Sequence, residues 1–338
     1  MTAAFTVLRA TRASRIGAAA AAVLVLWLST FPWWADPGWM REFEEMSCYL
    51  IFALMWNLLA GYGGMVSIGQ QAFVGLGGYA LLVLGNHLHV NPFLAVPLAM
   101  LATLALAVPV SFIAFRLQGG YFAIGTWVIA EVFRISIANI SAVGGGSGTS
   151  LTALRGISRS TREAATFWLC LAGATAAVAA VYGFLRSREG LALLALRDSE
   201  TAAESQGVDV TRTKRAVYLI AAAGAGLAGA LYFLGNLRIS PDAAFTVNWS
   251  AFAIFIVVVG GVGTLEGTLV GVALFYLLNK LFSDYGTWYL VGLGLLAVVV
   301  TLKFPAGLWG FVSRRFDLHF FPVHRRLIPP ERDRACAT

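Results

Sequence analysis

Apolar residues run through this chain in long continuous stretches, separated by short polar or glycine-rich intervals. The stretches fall at roughly 16–34, 46–60, 72–87, 92–115, 120–139, 165–185, 216–235, 246–263, 267–282 and 286–302. A hydrocarbon layer about 30 Å thick takes about 20 apolar residues of helix at about 1.5 Å rise each. The runs therefore predict membrane-crossing helices, and their continuity, in place of alternation, speaks against a membrane β-barrel. Two pairs are short and glycine-interrupted, 46–60 with 72–87 and 246–263 with 267–282. Each pair reads as two spans or as a span plus a re-entrant piece. The predicted fold class is all-α, a polytopic transmembrane helical bundle of about 8–10 spans with broken or re-entrant segments. It divides into an N-terminal tail at 1–15, a transmembrane domain at 16–303 and a basic C-terminal tail at 304–338.

The longest polar interval between runs is 186–215. From Arg188 to Gly207 it carries a helical period, with Leu191, Leu194, Ala195 and Ala202 on one face, and Gly207 is a natural helix stop. It reads either as a solvated loop or as a small amphipathic helix able to dock into a groove of another protein.

Composition narrows the class. Of 338 residues, 59% are hydrophobic and 12% charged, with a mean hydropathy of +0.76. Soluble domains run at about 45–50% apolar and about 25% charged. A soluble enzyme, a disordered chain and a nucleic-acid-binding domain are all poor fits. The formal charge of +7 serves mainly as an orientation signal, and it also suits contact with anionic membrane lipid. With the N-terminus inside and ten spans alternating, the inner side collects Arg9, Arg12, Arg15, Arg116, the 186–215 loop (Arg186, Arg188, Arg197, Arg212, Lys214, Arg215) and the tail (Arg314, Arg315, Arg325, Arg326, Arg332, Arg334). The outer side holds Arg41, Arg155, Arg159, Arg162 and Arg238. The bias predicts both termini in the cytoplasm, with the 140–164 loop as the exception. Trp33, Trp34, Ala35 and Asp36 make a poor leader-cleavage site, so the first run is expected to stay as a span, with Trp27, Trp33 and Trp34 at the outer interface.

Catalytic chemistry is not indicated. No G-x-x-x-x-G-K-[ST] phosphate loop, Ser/His/Asp set or HExxH occurs, and a nucleotide-hydrolysing role is not expected of this chain. Cys48, Cys170 and Cys336, with His87, His89, His319 and His324, lack metal-ligand or disulfide spacing, so no metal or cofactor is expected. Gly144, Gly145, Gly146 and Gly148 read as a flexible external loop. Two glycine-broken segments stand out: Asn57 to Phe73, which includes Ser67, Gln70 and Gln71, and Val259 to Gly267. Paired breaks in the two halves of a carrier point to a transport path, and a short cytoplasmic turn is the plain alternative for each. Asn57, Gln70 and Gln71 offer neutral hydrogen bonds, which suit passage of a zwitterion better than capture of an ion. Glu131 and Arg134, three apart on one predicted helix, read as a self-neutralised structural ion pair.

Several segments together resemble one family, the inner-membrane permease subunits of branched-chain amino acid ATP-binding-cassette importers of the high-affinity leucine/isoleucine/valine type. The resemblance spans about Asn57 to Arg315. It rests on Asn57 to Phe73 continuing to Ala80, on Gly120 to Thr126 with Ala130-Glu131-Val-Phe-Arg134, on Gly144 to Thr149, on Arg186 to Lys214, and on Gly260 to Gly267 with Phe304-Pro305-Ala-Gly307-Leu308. Each motif alone is weak, but their order and spacing are specific.

The resemblance implies that Glu200, Ala202, Ala203 and Gly207 form the coupling helix that meets an ATPase subunit. Here Thr201 separates Glu200 from the alanines, a departure from the simple Glu-Ala-Ala pattern. It also implies two ATP-binding subunits, a second paralogous permease, an extracytoplasmic substrate-binding protein and a bacterial inner-membrane location. Branched-chain amino acids are the expected cargo; urea or short amides, and an ion-coupled secondary carrier, remain the alternative readings.

Overall fold

The computed structural model describes residues 6–8, 12–282, 285–316, 320–321 and 326–328. Arg9, Arg325, Arg332, Arg334, Cys336, His319 and His324, which figure in the reading above, lie outside the described residues. The chain is an all-α polytopic bundle, and among the described residues nine helices are long and apolar enough to cross a membrane. The main helices are α1 (Arg12–Ser29), α2 (Phe31–Trp34), α3 (Pro37–Trp56), α4 (Gln71–Leu82), α5 (Pro92–Ala114), α6 (Gly120–Ala138) and α7 (Arg159–Leu185). They continue with α8 (Arg188–Asp198), α9 (Glu200–Ser205), α10 (Val210–Asn236), α11 (Pro241–Ala244), α12 (Asn248–Gly260), α13 (Leu265–Phe282), α14 (Thr287–Lys303) and α15 (Gly307–Phe316). Strand β1 (Thr6–Leu8) pairs with β4 (Arg326–Ile328), and β2 (Thr149–Ser150) pairs with β3 (Arg238–Ile239), both antiparallel.

Every apolar run coincides with a helix. The run at 72–87 falls short of a full crossing: α4 has 12 residues and continues as a π-helical turn, Val83–His87. Three boundaries differ from the sequence reading. α3 begins at Pro37, with Asp36 capping the Gly38 amide, so Glu42, Glu44 and Glu45 belong to the helix. α7 begins at Arg159, capped by Ser158, so Arg159 and Arg162 sit in its first turn and not in a loop. The expected single helix from Arg188 to Gly207 is two: Ser199 is extended, and its hydroxyl accepts the Ala202 amide to start α9. The stretch expected as a flexible loop around Gly144–Gly148 forms two 3-10 turns, Ser141–Val143 and Gly145–Ser147, ahead of the β2–β3 ribbon.

α10 is the hub, packed against α3, α4 and α5. Apolar lipid gives helices no hydrophobic reason to associate, so close backbone approach has to supply the attraction. A Cβ at Gly77 would fall 2.0 Å from the Gly226 carbonyl oxygen, and one at Gly229 would fall 2.0 Å from that of Val74. α4 and α10 thus touch backbone to backbone. The α1 span, by contrast, buries none of its apolar window.

The loops sort to two ends. At one end gather 62–70, the α8–α9 elbow, the 261–264 break and the start of α15, shown by Leu193 and Arg197 beside Gly63, Gly64 and Gly263, and by Gly307 against Gly261. At the other end, Asn86 accepts the Thr152 and Ala153 amides and donates to the Ser150 carbonyl, fastening α4 to the β2–β3 ribbon. These are called the elbow end and the ribbon end.

Candidate functional site

α3 ends in a π-helical turn, Asn57–Tyr62, a wider coil that recurs at functional sites. Its first residue, Asn57, is almost wholly buried. Asn57 Nδ2 donates to the Thr264 carbonyl (3.0 Å) and to Thr268 Oγ1 (2.9 Å), and Oδ1 accepts from the Gly263 amide (2.9 Å). One side chain therefore joins both glycine-broken segments, which lie about 200 residues apart in the chain. Gly61 makes the junction possible, because a Cβ there would fall 1.9 Å from Asn57 Oδ1.

Beyond Tyr62 the chain turns back into the bundle without regular structure, and each polar group finds a specific neighbour. Trp56 Nε1 donates to the Ser67 carbonyl (2.9 Å), and Ser67 Oγ donates to Thr126 Oγ1 (3.1 Å). The Gly69 amide also reaches Thr126 Oγ1, and a Cβ on Gly69 would collide with the α6 backbone. Gln71, the first residue of α4, accepts from Ser250 Oγ at 2.5 Å. Ser250 lies in the first turn of α12, so two helix starts, each with a partial positive charge, meet inside the bundle. Gln70 differs from its neighbours: it is 1% exposed, and neither its amide oxygen nor its nitrogen has a hydrogen-bond partner among the described residues.

The result is a buried seam of neutral amides and hydroxyls. Thr126, Ser250, Thr264 and Thr268 belong to it and carried no assigned role in the sequence reading. Thr126 and Thr264 fall inside the quoted motifs. Thr268 sits one turn beyond Thr264, but Ser250 gives no sequence signal, since a serine at a helix start is ordinary capping chemistry.

The elbow reaches the seam's border. Leu193 lies against Gly63, and Arg197 Nη1 is 2.9 Å from where a Gly263 Cβ would stand. Gly64 and Gly263 both adopt positive φ (69° and 73°), which leaves that surface open to the arginine. Glu189, in the first turn of α8, is held below the usual carboxylate range by its backbone amide and by the Ser187 hydroxyl. In α9, Ala203 is buried against the bundle while Glu200, Thr201, Ala202 and Glu204 are exposed. Glu200 pairs with Lys214 at the start of α10, and Gly207 (φ 81°) stands in open space. On this outward face Ala202 and Gly207 are the small residues, set among Glu200, Thr201 and Glu204, and Ala203 is turned inward.

Glu131 and Arg134 are not part of the seam. Arg134 holds Glu131 in a two-oxygen contact (2.9 and 3.0 Å to Nε) and also reaches Asp242 of α11 at 2.7 Å. The pair is partly exposed, and the third member ties α6 to the segment entering α12.

Comparison with known proteins adds an independent line. The family profile described as branched-chain amino acid transport system, permease component, matches residues 44–302. The high-affinity branched-chain amino acid transport system permease protein LivM of Salmonella typhimurium is 31% identical over 286 residues, covering 77% of this chain and 67% of that protein. Its namesake in Escherichia coli is 29% identical over 313 residues, covering 85% and 73%. The fructose import permease protein FruG of Bifidobacterium longum is 31% identical over 136 residues, covering 37% and 39%. No solved structure matches the chain.

Proposed function

The chain belongs to the family of permease components of branched-chain amino acid transport systems, and from that premise we propose that it is one half of the translocation path of an ATP-binding-cassette importer. Its role is transport across a membrane that it crosses many times. The finer reading gives it two ATP-binding subunits, a second paralogous permease, an extracytoplasmic binding protein and a place in a bacterial inner membrane. The elbow end and both termini then face the cytoplasm, and the ribbon end faces outward.

One observation carries this reading. Asn57, Ser67, Gln70, Gln71 and their hydroxyl partners form a neutral seam whose border is touched by the α8–α9 elbow, through Leu193 and Arg197, while the buried carboxylate of Glu266 accepts the Phe321 amide and stays outside it. Neutral amides let a zwitterion pass without a deep electrostatic trap, since a fixed charge in a low-dielectric bundle would hold its partner tightly. The exposed face of α9, from Glu200 through Ala202 to Gly207, is the surface offered to the ATPase. ATP binding and hydrolysis there bias two bundle states, and the elbow passes the bias to the breaks at 57–70 and 260–264.

Uptake of radiolabelled leucine by proteoliposomes tests the reading. Transport should require ATP inside the partner-containing complex, and urea, short amides and fructose, run in parallel, should not be carried. Uptake by this chain alone on an ion gradient would overturn the assignment.

A further inference from the structure

A cavity of about 280 Å³ opens at the ribbon end between the start of α3 and the end of α10. Arg41, Glu44, Glu45, Tyr232, Gly235 and Asn236 are among the residues that line it. Glu44 is 9% exposed, and its Oε1 is buried with no hydrogen-bond partner among the described residues. Its other oxygen lies 3.2 Å from where a Gly235 Cβ would stand, so Gly235 keeps space for the carboxylate.

The surrounding charges leave Glu44 unneutralised. Glu163 of α7 takes Arg159 at 2.8 Å and Arg41 at 3.7 Å, and Glu42 takes Lys280 of α13 at 2.9 Å. Among the described residues four carboxylates (Glu42, Glu44, Glu45, Glu163) thus face three cations, and no ion pair reaches Glu44 or Glu45. A buried carboxylate without a partner is costly unless something charged or protic completes it. The end of α10 adds its partial negative charge, and Asn236 Nδ2 is occupied by the Tyr232 carbonyl, which leaves Asn236 Oδ1 to accept. Carboxylates, an amide oxygen and a helix C-terminus are all acceptors, and one cationic donor group satisfies them.

We propose that this cavity binds a primary ammonium group, the one carried by the amino acid cargo as it reaches the ribbon end. Arg41, at the cavity's exposed edge, then faces the cargo's carboxylate. Selection at this point is for the zwitterion's positive end, ahead of the neutral seam. The inference rests on the reading of the chain as an amino acid permease, and its test is separable from that reading.

The probe is a cysteine in place of Asn236, in the full chain with Cys336→Ala, purified with its assembled subunits and corrected for the rate of the protein that keeps Asn236. A cleft lined by one sign of charge raises counter-ion on-rates by about 10–10³. Aminoethyl methanethiosulfonate should therefore label Asn236→Cys at least about tenfold faster than sulfonatoethyl methanethiosulfonate. Glu44→Gln should bring that ratio towards one, and Arg41→Gln should raise it. Isopentylamine and leucine should slow labelling, and isocaproate, which lacks the ammonium, should not. Equal rates for the two reagents, indifference of the ratio to Glu44→Gln with Arg41→Gln also silent, or protection by isocaproate alone would each overturn the proposal. If the complex carries no amino acid yet the charge preference stands, the cargo assignment fails and the ammonium site survives. If leucine is carried and the preference is absent, the site fails alone.

Discussion

At the scale of single residues, two buried amides in one segment make opposite predictions. Asn57 has three partners, so Asn57→Ala leaves the half-buried Gly263 amide with no acceptor and the buried Thr268 hydroxyl without its donor. A stranded buried donor costs about 1–3 kcal/mol, and the melting midpoint in detergent should fall together with transport. An unchanged midpoint would mean that the two breaks are held by other contacts. Gln70 has no partner to lose. Replacing an unsatisfied buried polar group by an apolar one of similar shape is neutral or stabilising, so Gln70→Met should melt no lower than wild type while transport drops. Loss of stability in Gln70→Met, or full transport, would remove Gln70 from the path. Asn57, Ser67, Gln70 and Gln71 were legible in the sequence because polar side chains stand out in an apolar background. Their partners were not: Thr126 and Ser250 arrive from distant helices, and nothing in one sequence encodes that pairing. Glu44 was missed for a different reason. Four charged residues at the head of α3, Arg41, Glu42, Glu44 and Glu45, depress local hydropathy, so the apolar run begins only after them.

Among elements, the approach of α4 to α10 is set by glycine. Gly229→Val should force the Val74 carbonyl away, with overpacking worth about 1–3 kcal/mol and a lower melting midpoint, whereas Gly183→Val on α7, which meets open space, should melt close to wild type. Similar midpoints for both variants would show that the close contact is not tight in the membrane. The two-helix elbow was half legible. Ser199 followed by Glu200 is a serviceable start signal, yet the apolar period ran through it and suggested one continuous helix. Gly207, with φ of 81°, was readable as a stop. Gly207→Pro cannot hold that dihedral and should abolish co-purification of the ATPase subunits or uncouple ATP turnover from uptake, while the protein still inserts. Wild-type coupling in that variant would remove α9 from its assigned role.

For the whole molecule, hydrophobic run length predicted the helices well, because each crossing has to satisfy its own backbone in lipid. Run length could not tell that α4 stops short, since a buried half-span and a crossing share the same composition. The two-ended arrangement predicts opposite exposure for Gly146 and Ser205, both at the surface. In intact cells an impermeant maleimide should label Gly146→Cys and spare Ser205→Cys until the membrane is opened. Labelling of both from outside would refute the assigned sidedness.

The backbone contact between α4 and α10 has a mechanical consequence. α9 leads into α10 through the turn at 206–209, in which Gly207 ends one helix and Asp209 caps the Arg212 amide of the next, and α10 meets the helix that opens with Gln71 along close glycine contacts. α10 and α4 form one stiff arm: a stroke delivered at the elbow end of α10 is carried to the amides at the start of α4, and the turn at Gly207 is the joint through which α9 delivers it.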